Sequence, residues 1–203
     1  KPKKKQIWAD IVRGKIRGQI EVLAALNKPT NRLRKLGQEV RSGDASNREA
    51  IAAQAYWPAL FGQHFRRNRE LAGINAALNY GYTILRSCVC RAIVSAGLHP
   101  NIPLHHSNKY SSFRLGDDLM EVFRPIVDIT VAQLGGLIEN EELSKDVKSS
   151  LAAIIDKEVV VGDFRTSLFE ASGKVAQSLV AVCSGEASKI CLPTALSFPL
   201  PAE

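Results

Sequence analysis

No apolar run in this 203-residue chain approaches the roughly eighteen consecutive residues that span a bilayer. The mean hydropathy is close to zero, at −0.06. Both observations argue against a membrane protein. The chain opens KPKKKQIWAD, which is basic and amphipathic and has no long apolar stretch, so it does not read as a secretory leader. It does not begin with Met, and we expect a fragment whose N-terminal part lies upstream. Its four cysteines, Cys88, Cys90, Cys183 and Cys191, include no C-x-x-C pair, which argues against structural zinc. Buried reduced thiols are the simplest reading, one that suits a cytosolic protein. Strand signals are confined to KEVVVGD, and no internal repeat is visible. The expected class is therefore all-α, a single bundle-like domain over residues 1–203 with an extended, Pro-containing tail at 192–203.

Apolar residues make up 45% of the chain, enough for a substantial core. Residues 1–70 hold 16 Lys and Arg against 6 Asp and Glu, whereas residues 71–203 hold 11 against 14. A basic half beside an acidic half points to a polyanionic partner on one side. Trp8, Ile11, Val12, Ile16, Ile20, Leu23 and Leu26 recur at helical spacing and predict a first long helix that ends before Pro29. A short charged helix over NRLRKLGQEVRSG ends at Gly43. A third begins at Ser46 as N-cap and runs through REAIAAQAYWPALFG. Ile74 to Gly97 is apolar or small almost all round, which suits the middle of a bundle. Further helices are expected over Asp117–Leu134, after Ser144, and over FRTSLFEASGKVAQSLVAVCSG.

Glu49 is the first candidate for chemistry. Ser46-Asn47-Arg48-Glu49 reads as a capping box. Glu49 also leads the stripe Ala52, Ala53, Tyr56, Leu60, so it heads a buried face where a charge needs a partner, and a cation is one such partner. Asp118 and Glu121 share one side of a helix, and neighbouring carboxylates repel unless a cation or proton lies between them. They also suit an early helical turn, complementing the dipole. The core stripe Leu119, Phe123, Ile126, Thr130, Leu134 leaves both acids pointing away from it, towards solvent. Pro125 follows Glu121 by four residues and would kink the helix there. His105 and His106 sit in a Pro-containing loop, and adjacent histidines do not readily share one metal. One imidazole with two or three carboxylates forms a hard, oxygen-rich set that favours Mg²⁺ or Mn²⁺. Arg66, Arg67 and Arg69 in the basic loop, with Lys109, would contact phosphates. Read alone, that basic loop is equally a solvated surface.

Three separated segments, REAIAAQAYWPALFG, INAALNYGYTILRS and GLHPNIPLHHSNKYSSFRLGDDLMEVFRPIVD, resemble in order the catalytic domain of the CRISPR-associated integrase family. The opening QIWADIVRGKIRGQ is similar to the start of that domain, so the resemblance covers nearly the whole chain. The paired histidines and DDLMEVFRP are most similar to the variants that accompany Cas-nine-type systems. The resemblance implies a helical C-terminal domain that follows a small β-rich domain, in a prokaryotic cytoplasmic protein. It implies metal ligands at Glu49, His106 and Glu121, with Asp118 used in some members. It implies Mg²⁺ or Mn²⁺, one ion per site, supporting attack of a DNA 3′-hydroxyl on a phosphodiester at the edge of a CRISPR repeat. Asn75, Asn79, Tyr80 and Tyr82 match the family's N-x-x-x-N-Y-x-Y helix and would support the site or touch DNA. The usual Arg after the paired Ala is Gln54 here. The implied partners are protospacer and repeat DNA, a second copy of the chain, and a Cas-two dimer. Two other readings stay open: a non-catalytic helical DNA-binding or scaffold module, and an unrelated metal-dependent hydrolase of small phosphate esters.

Overall fold

The structure, a computed structural model, describes residues 2–105, 112–138 and 142–196. Among these, eight α-helices and a small sheet are arranged in the order α1 (Pro2–Ala25), α2 (Asn31–Gln38), α3 (Arg48–Phe61), α4 (Ile74–Ser95), α5 (Arg114–Leu119), α6 (Arg124–Leu134), α7 (Lys145–Ala152), β1 (Glu158–Val161), β2 (Phe164–Ser167), α8 (Leu168–Ser184) and β3 (Pro193–Leu196). The chain is mostly helical, but the all-α expectation needs correction. The sheet is antiparallel, with β1 in the centre between β2 and β3. Val159 and Val161 point into the core from alternate positions of β1, the period-two pattern of a half-buried strand. Gly162, at φ +63°, supplies the left-handed residue of the tight turn into β2. Phe164–Ser167, read in sequence as the start of the last helix, is the return strand instead. Ser167 then caps α8 by accepting from the Glu170 amide at 3.2 Å. In the C-terminal tail, Pro193–Leu196 is a strand paired with β1. The remaining tail residues, 197–203, lie outside the described residues.

The core is continuous and includes fully buried Trp8, Tyr56 and Phe123. Each large apolar side chain of this kind stabilises the fold by about 1.5–3 kcal/mol on burial. Helix α4 packs against α5, α6, α7 and α8, which fits its apolar composition, although Thr83, Ser87, Arg91 and Val94 remain exposed. Cys88 is buried and reduced, whereas Cys183 and Cys191 are exposed, so buried thiols describe only part of the set. None of the helices among the described residues is long and apolar enough to cross a membrane.

Two glycine contacts set the positions of the elements that matter below. A Cβ on Gly18 would meet Pro125 at 2.8 Å and Leu196 at 2.9 Å, so α1 reaches the start of α6 only because that side chain is absent. A Cβ on Gly81 would meet Val127 at 2.5 Å, so α4 crosses α6 at equally close range. The result is that residues 121–128 are enclosed by α1 on one side and α4 on the other.

Candidate metal and nucleic-acid site

Glu49 stands in the first turn of α3, but not as the partner in a capping box. Ser46 is exposed and makes no cap. Asp44 does that work: its Oδ1 accepts from the Arg48 amide at 2.8 Å and its Oδ2 from the Glu49 amide at 3.0 Å. The turn is made by Gly43, Asp44 and Asn47, all at positive φ, where Gly, Asp and Asn are the least strained residues. With Asp44 satisfying the helix N-terminus, the Glu49 carboxylate is free to face inward.

The segment predicted as one helix from Asp117 to Leu134 is broken. α5 ends at Leu119, Met120–Val122 forms a 3-10 turn, and α6 starts at Arg124 with Pro125 near its N-terminus. Pro has no amide proton to donate into a continuing helix, and its ring clashes one turn back. The break turns Glu121 inward. The expectation that both acids point to solvent is therefore wrong: Asp118 is 0% and Glu121 2% exposed. The reason is that this segment is covered on two faces, by α1 and by α4, rather than on one.

Glu49 and Glu121 meet at Lys15 of α1. The Lys15 Nζ lies 2.6 Å from Glu49 Oε1 and 2.5 Å from Glu121 Oε2, while Arg124 Nη1 holds Glu121 Oε1 at 3.2 Å. Burial alone would depress the Lys15 pKa, but the Glu121 and Glu49 charges outweigh it and hold the ammonium above its ordinary value. Burial acts the same way on Arg124, and again Glu121 leads the groups that raise it. Both carboxylates open onto a cleft of about 720 Å³ whose walls include Arg67, Arg69, Asn79, Arg86 and Arg124. Such a cleft has acids at its floor and cations on its walls, and it focuses a polyanion onto the carboxylates.

Asp118 faces elsewhere. Its Oδ2 accepts the Leu104 amide at 2.7 Å and the His105 amide at 3.0 Å. The His105 ring stacks on Trp8, with centroids 4.3 Å apart and planes parallel to 1°. These contacts tie down the chain immediately before His106. His106 and Lys109 themselves lie outside the described residues.

The basic loop is held by α4. Arg67 donates to Asn75 Oδ1 at 3.0 Å and to Asn79 Oδ1 at 2.6 Å. Asn75 Nδ2 donates to the Arg66 carbonyl, and Asn79 Nδ2 to that of Arg69. Arg67 and Arg124 both stack over the Tyr82 ring, at 5.6 and 4.6 Å from its centroid. Arg66 turns back onto the Gln63 and Phe65 carbonyls and, with Gln54 and Trp57, lines a second cavity of about 680 Å³. Tyr80 packs half-buried against the core.

Behind the cleft, Asp128 accepts hydrogen bonds from Tyr56 at 3.1 Å and from Tyr82. Burial pushes its carboxyl up to about 6, against the opposing pull of the two phenols, Arg124 and Lys15. Sequence reasoning missed Lys15, Arg124 and Asp128. For Lys15 a signal existed, because it interrupts the apolar stripe of α1 one turn after Ile11 and Val12. A lysine in such a position needs an anion.

Among the described residues, no group of three or more His, Cys, Asp or Glu side chains is arranged to hold a metal ion. Glu49 and Glu121 nonetheless approach a single positive charge from two sides with hard oxygen donors. That donor set fits Mg²⁺ or Mn²⁺.

Comparison with known proteins places the chain in a family. The sequence profile of the family described as CRISPR associated protein Cas1 matches residues 1–156. The CRISPR-associated endonuclease Cas1 of Neisseria meningitidis serogroup C (strain 8013) is 39% identical over 201 residues, covering 96% of this chain and 65% of that protein. A CRISPR-associated endonuclease Cas1 of Pyrobaculum aerophilum is 34% identical over 174 residues, 76% of this chain and 56% of that protein. The chain thus spans less than two thirds of either relative. The fold is similar to that of a casposase bound to integration product, with TM-score 0.80, 21% identity, and coverage of 98% of this chain and 66% of that one. It is also similar to a Cas1 protein from Thermotoga maritima, with TM-score 0.75, 18% identity, and coverage of 90% and 66%. A Cas6-RT-Cas1–Cas2 complex matches at TM-score 0.73 and 18% identity over 100% of this chain and 26% of that one. The chain belongs to the CRISPR-associated Cas1 family.

Proposed function

We propose that this chain is the helical catalytic part of a divalent-metal-dependent DNA endonuclease and integrase of CRISPR spacer acquisition. The observation that carries the reading is the meeting of Glu49 and Glu121, from distant parts of the chain, on one cationic point at the floor of an arginine-walled cleft. Glu49, Glu121 and His106 would hold Mg²⁺ or Mn²⁺, and Asp118 would fix the loop that delivers His106. A bound divalent ion supplies Lewis-acid polarisation of a phosphodiester and lowers the pKa of an attacking hydroxyl. The chain's own residues do the rest. Arg67, Arg69, Arg86 and Arg124 draw the DNA backbone to the acids and offset charge that builds on the phosphoryl oxygens. Asn75 and Asn79 hold the loop that presents Arg67 and Arg69. Tyr82 gives Arg67 and Arg124 a flat surface on which to lie.

The substrates in this reading are protospacer and repeat DNA, and the partners a second copy of the chain and a Cas-two dimer. Support for a Cas-two partner comes from the fold match to a Cas6-RT-Cas1–Cas2 complex. The paired histidines and DDLMEVFRP support a protein of the Cas-nine-associated kind. The test is strand transfer with Mn²⁺. Glu49→Ala, His106→Ala and Glu121→Ala each abolish it while duplex DNA binding persists, and retention of activity in all three rejects the site. One observation favours a second reading: Lys15 already satisfies both carboxylates, as it would in a non-catalytic DNA-binding scaffold. Mn²⁺ separates the two, because it raises the melting midpoint of a metalloenzyme and leaves a scaffold unchanged.

A further inference from the structure

We infer that Lys15 is the resident counter-ion of the carboxylate pair, holding Glu49 and Glu121 at one point until a divalent cation takes that point and displaces the ammonium. The inference rests on the metal-holding reading above and goes beyond it. It assigns to α1 a role in setting metal affinity.

Three features of the structure carry it. First, Lys15 is placed rather than fortuitous. A Cβ on Gly14 would meet Val122 at 3.1 Å, and one on Gly18 would meet Pro125 at 2.8 Å. The helix therefore lies against the Val122–Pro125 segment on both sides of Lys15, which leaves the lysine stem to run directly to the acids. Second, the ammonium serves both carboxylates at once, at 2.6 and 2.5 Å, with a side chain only 9% exposed. Two carboxylates, one buried and one partly buried, that converge without a cation would repel each other. Third, each acid has an independent anchor that remains when the ammonium leaves. Arg124 holds the other oxygen of Glu121, and the Asp44 cap fixes the backbone of Glu49.

An ammonium and a divalent cation cannot both occupy the space between those oxygens, because the like charges repel strongly at such range. Lysine suits a removable counter-ion better than arginine would. It is a point charge on a flexible four-carbon stem, without the rigid bidentate fork of a guanidinium. The cleft beside Glu49, whose side chain is 22% exposed, offers the ammonium a way out.

The experiment compares wild type with Lys15→Met by Mn²⁺ titration calorimetry and by thermal melting with and without Mn²⁺. Without metal the variant melts below wild type. Its Mn²⁺ dissociation constant is at least about tenfold lower, since the competing charge is gone, and Mn²⁺ raises its melting midpoint by more than it raises that of wild type. Equal or weaker Mn²⁺ affinity in the variant overturns the inference and leaves the metal site intact. Absence of Mn²⁺ binding in both proteins overturns the metal site itself, and the inference with it. A second measurement uses wild type alone and decides the matter if Lys15→Met does not fold. Reductive methylation of Lys15, read by peptide mass spectrometry, accelerates when Mg²⁺ is added, and an unchanged rate overturns displacement.

Discussion

Glu121 and Asp128 flank Pro125, both are buried, and their carboxyl groups have different direct partners. Glu121 is held by cations, Lys15 and Arg124, at the floor of an open cleft. Asp128 is held by two neutral phenols, Tyr56 and Tyr82, behind it. A carboxylate satisfied by phenols has directional bonds to groups packed in the core and no reason to exchange them. One satisfied by an ammonium has a partner that another cation can replace. The same residue chemistry is thus fixed as structure in one place and left available in the other. Arg124 and the Tyr82 ring, in contact with each other, connect the two.

The largest effect that would sharpen this contrast comes from removing the phenols. Tyr56→Phe with Tyr82→Phe keeps both rings and the surface on which Arg67 and Arg124 lie, but leaves a buried carboxylate without its donors. Hydrogen bonds to a charged group are worth about 1.5–3 kcal/mol each, so urea unfolding at pH 7 should show a loss of about 4 kcal/mol. Mn²⁺ affinity should stay at the wild-type value. If it falls in parallel with stability, the two clusters are one unit and the contrast fails.

A somewhat smaller effect is the pH dependence of the Asp128 cluster. Its carboxyl titrates near 6 in the folded protein, against an ordinary value of 3.8, so the folded state binds the proton more tightly than the unfolded one. Stability from this group is therefore full below about pH 4 and declines as the pH rises to about 6. At 1.36 kcal/mol for each unit the difference amounts to about 3 kcal/mol. Asp128→Asn cannot ionise, so the stability margin of wild type over this variant should narrow across that window. A margin that is flat between pH 4 and 7 would show that Asp128 stays ionised throughout.

How much of this was legible beforehand differs between the clusters. Glu49 stood out because it headed a stripe completed by Ala52, Tyr56 and Leu60. For Glu121 the metal-ligand reading stood beside a single helical wheel through Asp117–Leu134 that turns it to solvent, because a wheel drawn straight through the segment does not carry the break at Pro125. A stripe argument also assumes one covered face, and this segment has two. Asp128 carried no visible signal, since its partners come from α3 and α4 and no local spacing records them. The helices were read well where apolar periodicity ran long, as in α1 and α4. Phe164–Ser167 was misread because four residues before a strong helical pattern look like its first turn, and their pairing with β1 is set by the Gly162 turn. Ser46 lost the cap to Asp44 because the left-handed turn at Asp44 and Asn47 brings the aspartate, not the serine, over the amides.

The smallest effect concerns the rim of the open cluster. Asn79 accepts from Arg67 and donates to the Arg69 carbonyl, so it orders the loop that carries both arginines. Asn79→Ala removes two partly exposed hydrogen bonds and should cost about 1 kcal/mol of stability. Both cations remain, so the slope of DNA affinity against salt concentration should change little, whereas Arg67→Ala should reduce that slope by about one. The asparagine variant should instead weaken DNA binding by a constant few-fold across salt concentrations, because an unfixed arginine must be ordered again each time it meets a phosphate. The opposite pattern, a slope change in Asn79→Ala, would mean that the asparagine sets how many phosphates the loop engages. The cations at the rim would then be assembled by the DNA, and only those at the floor by the fold.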